Sequence, residues 1–416
     1  MSRIRATAIA LTAATALMAT QSSLTAKEWE LPTYQLKEGF GVWWQAAAEA
    51  FAEKYPEHSI KLIGIPFGDH HDQLTTRFVA GNPPDIAHIS ARFMFGFADA
   101  GFLEPLDACL AEVDWVESDF ISAQKQMRMD GKIYAQLLLG YGWGLFYNEA
   151  MFEAAGVDVP TSPEEFVSAA ATLTLDTDGD GRTDQYGFPF ISDQSTGTYF
   201  TITYILAGLG HGWVEDGELV ARDDLRDAVA MINSLVEAGA SPTGIGSNEQ
   251  RQLFWQGRGA MYFDGSWAPA FKKDATEEVA RHFRVAPLPF PDEAGGPSNV
   301  LAIPSALDDE TKDLACKFIQ MIQGEEWQQA YGELSGNPPA RLGTLTDKAR
   351  ADWPEIPVFE ASAARATRSY LPVGLETDYN KFAAIISEGI SAMASGALDV
   401  DQATDQIHGE LRREFF

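Results

Sequence analysis

An α/β protein of two or three lobes is what the residue pattern of this chain predicts, and three observations carry the reading. Short apolar runs such as 60–65 and 85–89 alternate with segments of helical periodicity, the arrangement of parallel βαβ units. The chain has 416 residues, more than one core usually serves at roughly 150 residues per domain. Hydrophobic residues make up 45% and aromatics 11%, enough to bury a large core and too much for a disordered chain.

The elements follow in order. Residues 29–34 suit a first strand, although Pro32 argues against a central place in a sheet. In 42–54, Trp44, Ala47, Ala48 and Phe51 fall on one helical face. A strand at 60–65 leads to a helix at 70–80 with Asp69 as its N-cap. The buried strand 85–89 precedes a helix near 93–100. The apolar stretch 134–147 is broken by Gly140, Gly142 and Gly144 and suits an extended passage between lobes. Beyond it come a helix at 162–172 capped by Thr161 or Ser162, a strand at 187–191, helices at 228–238 and 250–255, and a strand at 259–263. Strands at 282–289 and 299–304 flank a Pro/Gly-rich turn, and the remainder is mainly helical.

The first 26 residues obey different physics. Arg3 and Arg5 precede an apolar run, 6–19, and small residues lead to Ala26, the signature of a secretory signal peptide. The run is shorter than the roughly 20 residues a membrane span requires. The mature protein is therefore expected in the periplasm. The whole chain's 60 acidic residues against 30 basic ones, a formal net charge of -30, argue against nucleic acid and anionic lipid as docking partners. Cys109 and Cys316 are the only cysteines and do not form a disulfide framework; two separately buried thiols are expected.

Catalytic signatures are missing: there is no G-x-S-x-G, H-E-x-x-H, Walker loop, C-x-x-C or G-x-G-x-x-G. Asp69-His70-His71-Asp72 reads as a helix start rather than a ligand set. The loop Asp176, Asp178, Asp180, Arg182, Asp184 has calcium-loop spacing, with the Arg182 carbonyl at the seventh position. Gly187 stands where a bidentate Glu belongs, so either a structural calcium or a solvated acidic turn fits. No other cofactor is required. Among the 10 Trp, Trp43, Trp143 and Trp267, with Tyr141, sit beside glycines or at element ends. Such rings cover the C–H face of a sugar while amides and carboxylates bind its hydroxyls.

Further fragments resemble a known family. They are Ala50-Phe51 with Tyr55-Pro56, then 80–86 (AGNPPDI), 101–106 (GFLEPL), 144–148 (GLFYN) and 259–267 (GAMYFDGSW). In this order they resemble the sugar-binding proteins of ABC importers, the maltose-binding-protein-like group. The resemblance implies a two-lobed periplasmic binding protein fold, each lobe a mainly parallel sheet flanked by helices, joined by a multi-segment hinge. Lobe one would be 27–138 with 290–338 and lobe two 139–289 with 339–416, with crossings near 137–141, 287–299 and 335–342. It implies a non-enzymatic monomer that captures a carbohydrate or related small polar solute between the lobes and delivers it to a membrane permease. The positions it implies for ligand contact are Glu38, Trp43, Ser90, Arg92, Tyr141, Trp143, Gln194, Tyr199, Trp267, Asn299, Arg341 and Tyr379. Tyr141 stands where the maltose-binding group has an acid, which argues against a maltodextrin. Arg92 and Arg341 are either ion-pair residues or, if both face the cleft, anchors for a carboxylate, sulfonate or phosphate. Two alternatives stay open: an exported calcium-dependent carbohydrate-active hydrolase, and a binder of polyols or anionic sugar derivatives.

Overall fold

The computed structural model describes residues 27–36, 40–140 and 142–416. The leader expected at 1–26 and the ligand candidates Glu38 and Tyr141 lie outside the described residues. Among the described residues no helix is long and apolar enough to cross a membrane.

In the first lobe, β1 (Lys27–Thr33) pairs in parallel with β2 (His58–Gly64) through the crossover helix α1 (Gly41–Lys54). The helix α2 (Phe67–Val79) leads to β3 (Ala87–Ser90), which lies beside β1. There the Glu30 N–H donates to the Asp85 carboxylate at 2.7 Å and the Ile86 N–H to the Glu30 carbonyl at 3.3 Å, so β1 lies between β2 and β3 despite Pro32. Then come α3 (Ala91–Asp99), β4 (Leu103–Glu104), α4 (Asp107–Leu110), the hairpin of β5 (Arg128–Met129) and β6 (Lys132–Ile133), and β7 (Gln136–Leu137). Asp69 sits in the first turn of α2 and is not its N-cap; Pro66 holds that position, so the helix begins three residues earlier than expected.

The second lobe is centred on β8 (Trp143–Asn148). Around it lie α5 (Glu149–Ala155), α6 (Pro163–Thr172), α7 (Thr196–Gly208), the hairpin β9 (Val214–Glu215) and β10 (Glu218–Leu219), α8 (Arg222–Glu237) and α9 (Ser247–Trp255). Capping is where the polar residues place it: Ser162 Oγ accepts from the Glu165 N–H at the start of α6. The strand β11 (Met261–Gly265) flanks β8 on one side; α10 (Glu277–His282) leads to β12 (Phe283–Ala286) on the other. The strand expected at 187–191 is irregular. Its backbone still bonds to β11, Met261 N–H to Gly187 O at 3.1 Å, but Pro189 has no donor to continue the ladder.

After β13 (Glu293–Gly295), β14 (Asn299–Pro304) returns to the first sheet. Then follow α11 (Asp309–Ile322), α12 (Glu325–Ser335), α13 (Asp347–Asp352), α14 (Ile356–Arg365), β15 (Ala366–Ser369), α15 (Tyr379–Ala394) and α16 (Val400–Phe415). The two-lobed α/β architecture stands, but the sheets are mixed where mainly parallel ones were expected. β14 runs antiparallel to β3, β4 and β7, and β8 antiparallel to both its neighbours, because strands arriving by a crossing enter the sheet from the opposite end. The third crossing also differs from the expected 335–342. Leu342 N–H bonds to Asp119 O at 2.7 Å and Trp353 Nε1 to Glu333 O at 3.1 Å, so the chain keeps to the first lobe until α13 ends.

Cys109 and Cys316 form a disulfide, against the expectation of two separate thiols. The packing of α4 on α11 brings their Cα atoms to 5.7 Å, across a sequence separation of 207 that hides the pairing from local spacing.

A cluster of histidines ties α2 to the strands. His70 Nε2 meets the His88 carbonyl at 2.8 Å and therefore carries the proton there; His71 Nε2 accepts from the Ser90 N–H at 3.0 Å and therefore does not. His88 Nδ1 pairs with Thr33 Oγ1 at 2.8 Å, and Tyr34 stacks on its ring at 4.5 Å. Burial, against the His88 carbonyl, lowers the His70 pKa to about 4. Burial likewise holds His71 and His88 well below the usual value, helped by the neighbouring His70 and, for His71, by Arg92.

Two tests follow from these contacts. Thiol labelling of the native chain without reductant is expected to find no free thiol, and C109S/C316S to lose about 2–4 kcal/mol of stability. Labelling at both cysteines would exclude the bond. The histidines are neutral when folded and take protons when unfolded, so their stabilisation is complete above pH 6.5 and is lost as pH falls toward the folded value near 4. Denaturation between pH 7 and 4 should show a fall to which His70 contributes about 3 kcal/mol. His70→Gln should flatten it; an equally steep fall in that variant rules out the assignment.

Candidate ligand-binding cleft

The carboxyl ends of strands at a sheet edge are where α/β proteins place ligands. Here β3 ends at Ser90 and α3 begins at once, so Arg92 stands in the first helical turn at the face of lobe one. Its guanidinium carbon lies 5.1 Å from the ring centroids of both Phe67 and Phe93, on its own lobe. Across the cleft it lies 5.3 Å from Phe200 and 5.8 Å from Tyr379. Four rings from two lobes thus enclose one cation, which is only 8% exposed. Arg92 Nε has no hydrogen-bond partner among the described residues.

The wall opposite is aromatic. Trp143, first residue of β8, lies 3.9 Å from the ring of Tyr204 and 6.1 Å from Phe200, and meets Trp267 edge-on at 5.7 Å. Trp267 packs against the cores of both lobes and against the smaller cluster around Phe146 and Phe359. Its turn is fixed from behind: Arg251 holds the Asp264 carboxylate through two bonds of 2.7 and 3.1 Å, and Asp264 Oδ1 accepts the Gly265 N–H at 2.8 Å. Gly265 allows the Trp267 ring to fold back over its own turn, since a Cβ there would stand 2.2 Å from it. Ser266 Oγ is buried and has no partner among the described residues.

The phenols are locked in the neutral form. Burial pushes the Tyr379 pKa up to about 12, with the Arg92 guanidinium beside it opposing the rise. Tyr199 lies beneath, edge-on to Tyr379 at 5.4 Å, its O–H donating to the Tyr370 carbonyl; burial raises its pKa well above the usual value.

Of the sequence candidates, the fold brings Ser90, Arg92, Trp143, Trp267, Asn299 and Tyr379 to this junction; Asn299 faces Ser90 in register across β14 and β3. Tyr199 supports the floor, with its hydroxyl already spoken for. Trp43 is a correction: it is fully buried between α1 and α12, donating to the Trp327 carbonyl at 3.2 Å, because α1 buries two faces and not one. Gln194 is exposed ahead of α7. Arg341 is an ion-pair residue, 2.8 Å from Asp119 and over the Phe120 ring. It borders a separate cavity of about 610 Å³ between Ser122, Pro339 and Ala364, whose charges are paired off, Arg341 with Asp119 and Glu360 with Arg350. Phe67, Phe93, Phe200 and Tyr204 were missed; the signal available was a Pro-Phe pair opening α2 and an Arg-Phe pair opening α3.

The acidic loop lies away from the cleft. Carboxylate oxygens of Asp176, Asp178 and Asp184 come within 4.8 Å of one another, and Asp180 stands outside that trio. The oxygens are already served: Asp176 accepts the Gly179 and Gly181 N–H groups at 2.7 and 2.8 Å, and Asp180 that of Arg182 at 2.8 Å. The Thr177 hydroxyl and amide hold the Asp184 carboxyl below the usual range.

Comparison with known proteins agrees with this fold. The chain is 24% identical over 406 residues to the mannitol-binding protein of Pseudomonas aeruginosa, covering 89% of each chain. It is 23% identical to a putative binding protein of Brucella abortus, covering 79% of this chain and 80% of that one. Among solved structures, the GacH receptor of Streptomyces glaucescens, solved unliganded and in complex with acarbose, superposes with a TM-score of 0.79 at 24% identity, covering 94% of this chain and 98% of that one. A solute-binding protein of Thermotoga lettingae, bound with α-D-tagatose, gives 0.79 at 22% identity, covering 93% and 99%. These superpositions carry the two-lobed fold. The model of the family described as bacterial extracellular solute-binding protein matches residues 36–329, and this chain belongs to that family.

Proposed function

We propose that this protein is the exported solute-capturing component of an ABC importer, which closes its lobes on a carbohydrate-like small solute and presents the closed form to a membrane permease. One observation carries the reading: the walls around Arg92, Trp143 and Trp267 are assembled from both lobes, so a solute touching them all favours the closed state by its differential affinity. Relatives support the ligand class, one a mannitol-binding protein and another structure bound with a tagatose. The Cys109–Cys316 bond and the basic-apolar leader at 1–26 support an oxidising compartment outside the cytoplasmic membrane. The protein acts as a monomer with one solute per chain and performs no bond-making step.

Small-angle scattering with a panel of D-mannitol, ribitol, D-tagatose and maltose is expected to show a smaller radius of gyration with the solute that binds, accompanied by a change in tryptophan emission. Trp267→Ala should weaken that solute tenfold or more, about 1.4 kcal/mol or above. An unchanged radius at saturation, or a solute recovered chemically altered, refutes the reading.

A further inference from the structure

We propose that the solute taken by this cleft is a polyhydroxylated monocarboxylate, a sugar acid, anchored by its carboxylate on the Arg92 guanidinium. The inference rests on the reading of the cleft as a solute-capturing site and names the chemical class of that solute.

Arg92 is only 8% exposed, and its side chain is a guanidinium, five donors and no acceptor. A buried ion without a counter-ion is among the costliest groups a fold can hold. The other arginines around the lobe junction are matched: Arg251 with Asp264, Arg341 with Asp119, Arg365 with Glu293 and Arg368 with Asp292. In a chain with 60 acidic and 30 basic residues a carboxylate is the easiest partner to supply, yet Arg92 has none among the described residues. Its titratable neighbours do not compensate it. His71 is held neutral, and Tyr199 and Tyr379 are held as phenols.

Rings satisfy only part of a guanidinium. Phe67, Phe93, Phe200 and Tyr379 attract the cation through their faces, but a ring is no acceptor for the in-plane N–H fork. That fork matches a carboxylate in shape and, as one positive charge, in magnitude. A phosphate dianion would leave one negative charge facing the electron-rich rings. The rest of the cleft asks for hydroxyls and an apolar ring face. Ser266 Oγ is a buried polar atom without a partner among the described residues, the Tyr379 hydroxyl stands beside the Arg92 guanidinium, and Ser90 and Asn299 stand beside the helix that bears Arg92. Trp143 and Trp267 supply the surface for a C–H face.

The test is isothermal titration calorimetry on the full mature chain with matched pairs in the gluco, galacto and manno series: hexonate against hexitol, and hexuronate against hexose. Glucose 6-phosphate serves as the dianionic arm. The expected result is one acid bound at least about tenfold more tightly than its neutral partner, the discrimination a charged hydrogen bond provides. Arg92→Gln should abolish that preference. The wild-type ratio alone tests the proposal should this variant fail to fold. A neutral member binding as tightly as its acid overturns the anion assignment and leaves the capture function standing, and tighter binding of the phosphate overturns the monoanion assignment. Binding of none of them overturns the capture function as well.

Discussion

Everything else in this molecule hangs from a close backbone approach where the chain first crosses between lobes. At Gly142 a Cβ would lie 2.2 Å from the carbonyl oxygen of Phe359, so only glycine lets the crossing segment lie flat on α14. The contact is then locked by a buried chain of donors. The Trp143 N–H donates to Ser362 Oγ at 2.9 Å, the Ser362 hydroxyl donates to the Glu293 carboxylate, and Arg365 donates to the same carboxylate. Glu293, fully buried, belongs to the second crossing, and α14 follows the third. One carboxylate therefore ties the first two crossings to the helix that follows the third, and it fixes where β8 begins. Buried networks of this kind specify geometry more than they add stability, because each partner must be desolvated to make them.

From that anchor the lobes meet over a cleft whose energetics are unlike those of either core. Beside Tyr34, each of the three histidines has one ring nitrogen paired with a backbone or hydroxyl partner. At the lobe junction, apolar walls surround a charge. Ring contacts of the kind around Arg92 are worth roughly 0.5–2 kcal/mol each, enough to hold the cation between the lobes and weak enough to be exchanged for charge-assisted hydrogen bonds. A cleft that is closed by exchangeable contacts rather than interlocked side chains can open without unfolding its walls.

Much of this was legible in the chain. Helices announced themselves by periodicity and by caps such as Ser162, which accepts the expected backbone N–H. The meeting of Trp143 with Trp267 followed from their places at the ends of β8 and β11, which pair with Gly265 opposite Trp143. What stayed hidden was set by contacts distant in sequence. Cys109 and Cys316 are joined only by the packing of two helices. Arg341 looked like Arg92 until Asp119 was found beside it. Phe200 sits in α7, whose buried residues run around most of its circumference, so no stripe marks the side that reaches the cleft. Trp43 misled for the opposite reason: a helix held between a sheet and α12 buries adjacent positions, and adjacency then says nothing about a free edge.

The position of Trp267 determines how the two lobes can communicate. It touches the cores of both lobes and the cluster around Phe146 and Phe359, which underlies α14 and hence the crossing at Gly142. A solute pressing on Trp267 therefore acts on the segment that sets the angle between the lobes as well as on the walls of its own site. On the other wall, Arg92 stands in the first turn of α3, and α3 packs against the turn Glu376–Asp378 that leads into Tyr379. Gly96 on that helix faces the Thr377 carbonyl, where an added Cβ would stand 3.9 Å from the oxygen, at ordinary contact. The two walls are thus mounted differently, one on the crossings and one on a direct lobe-to-lobe contact.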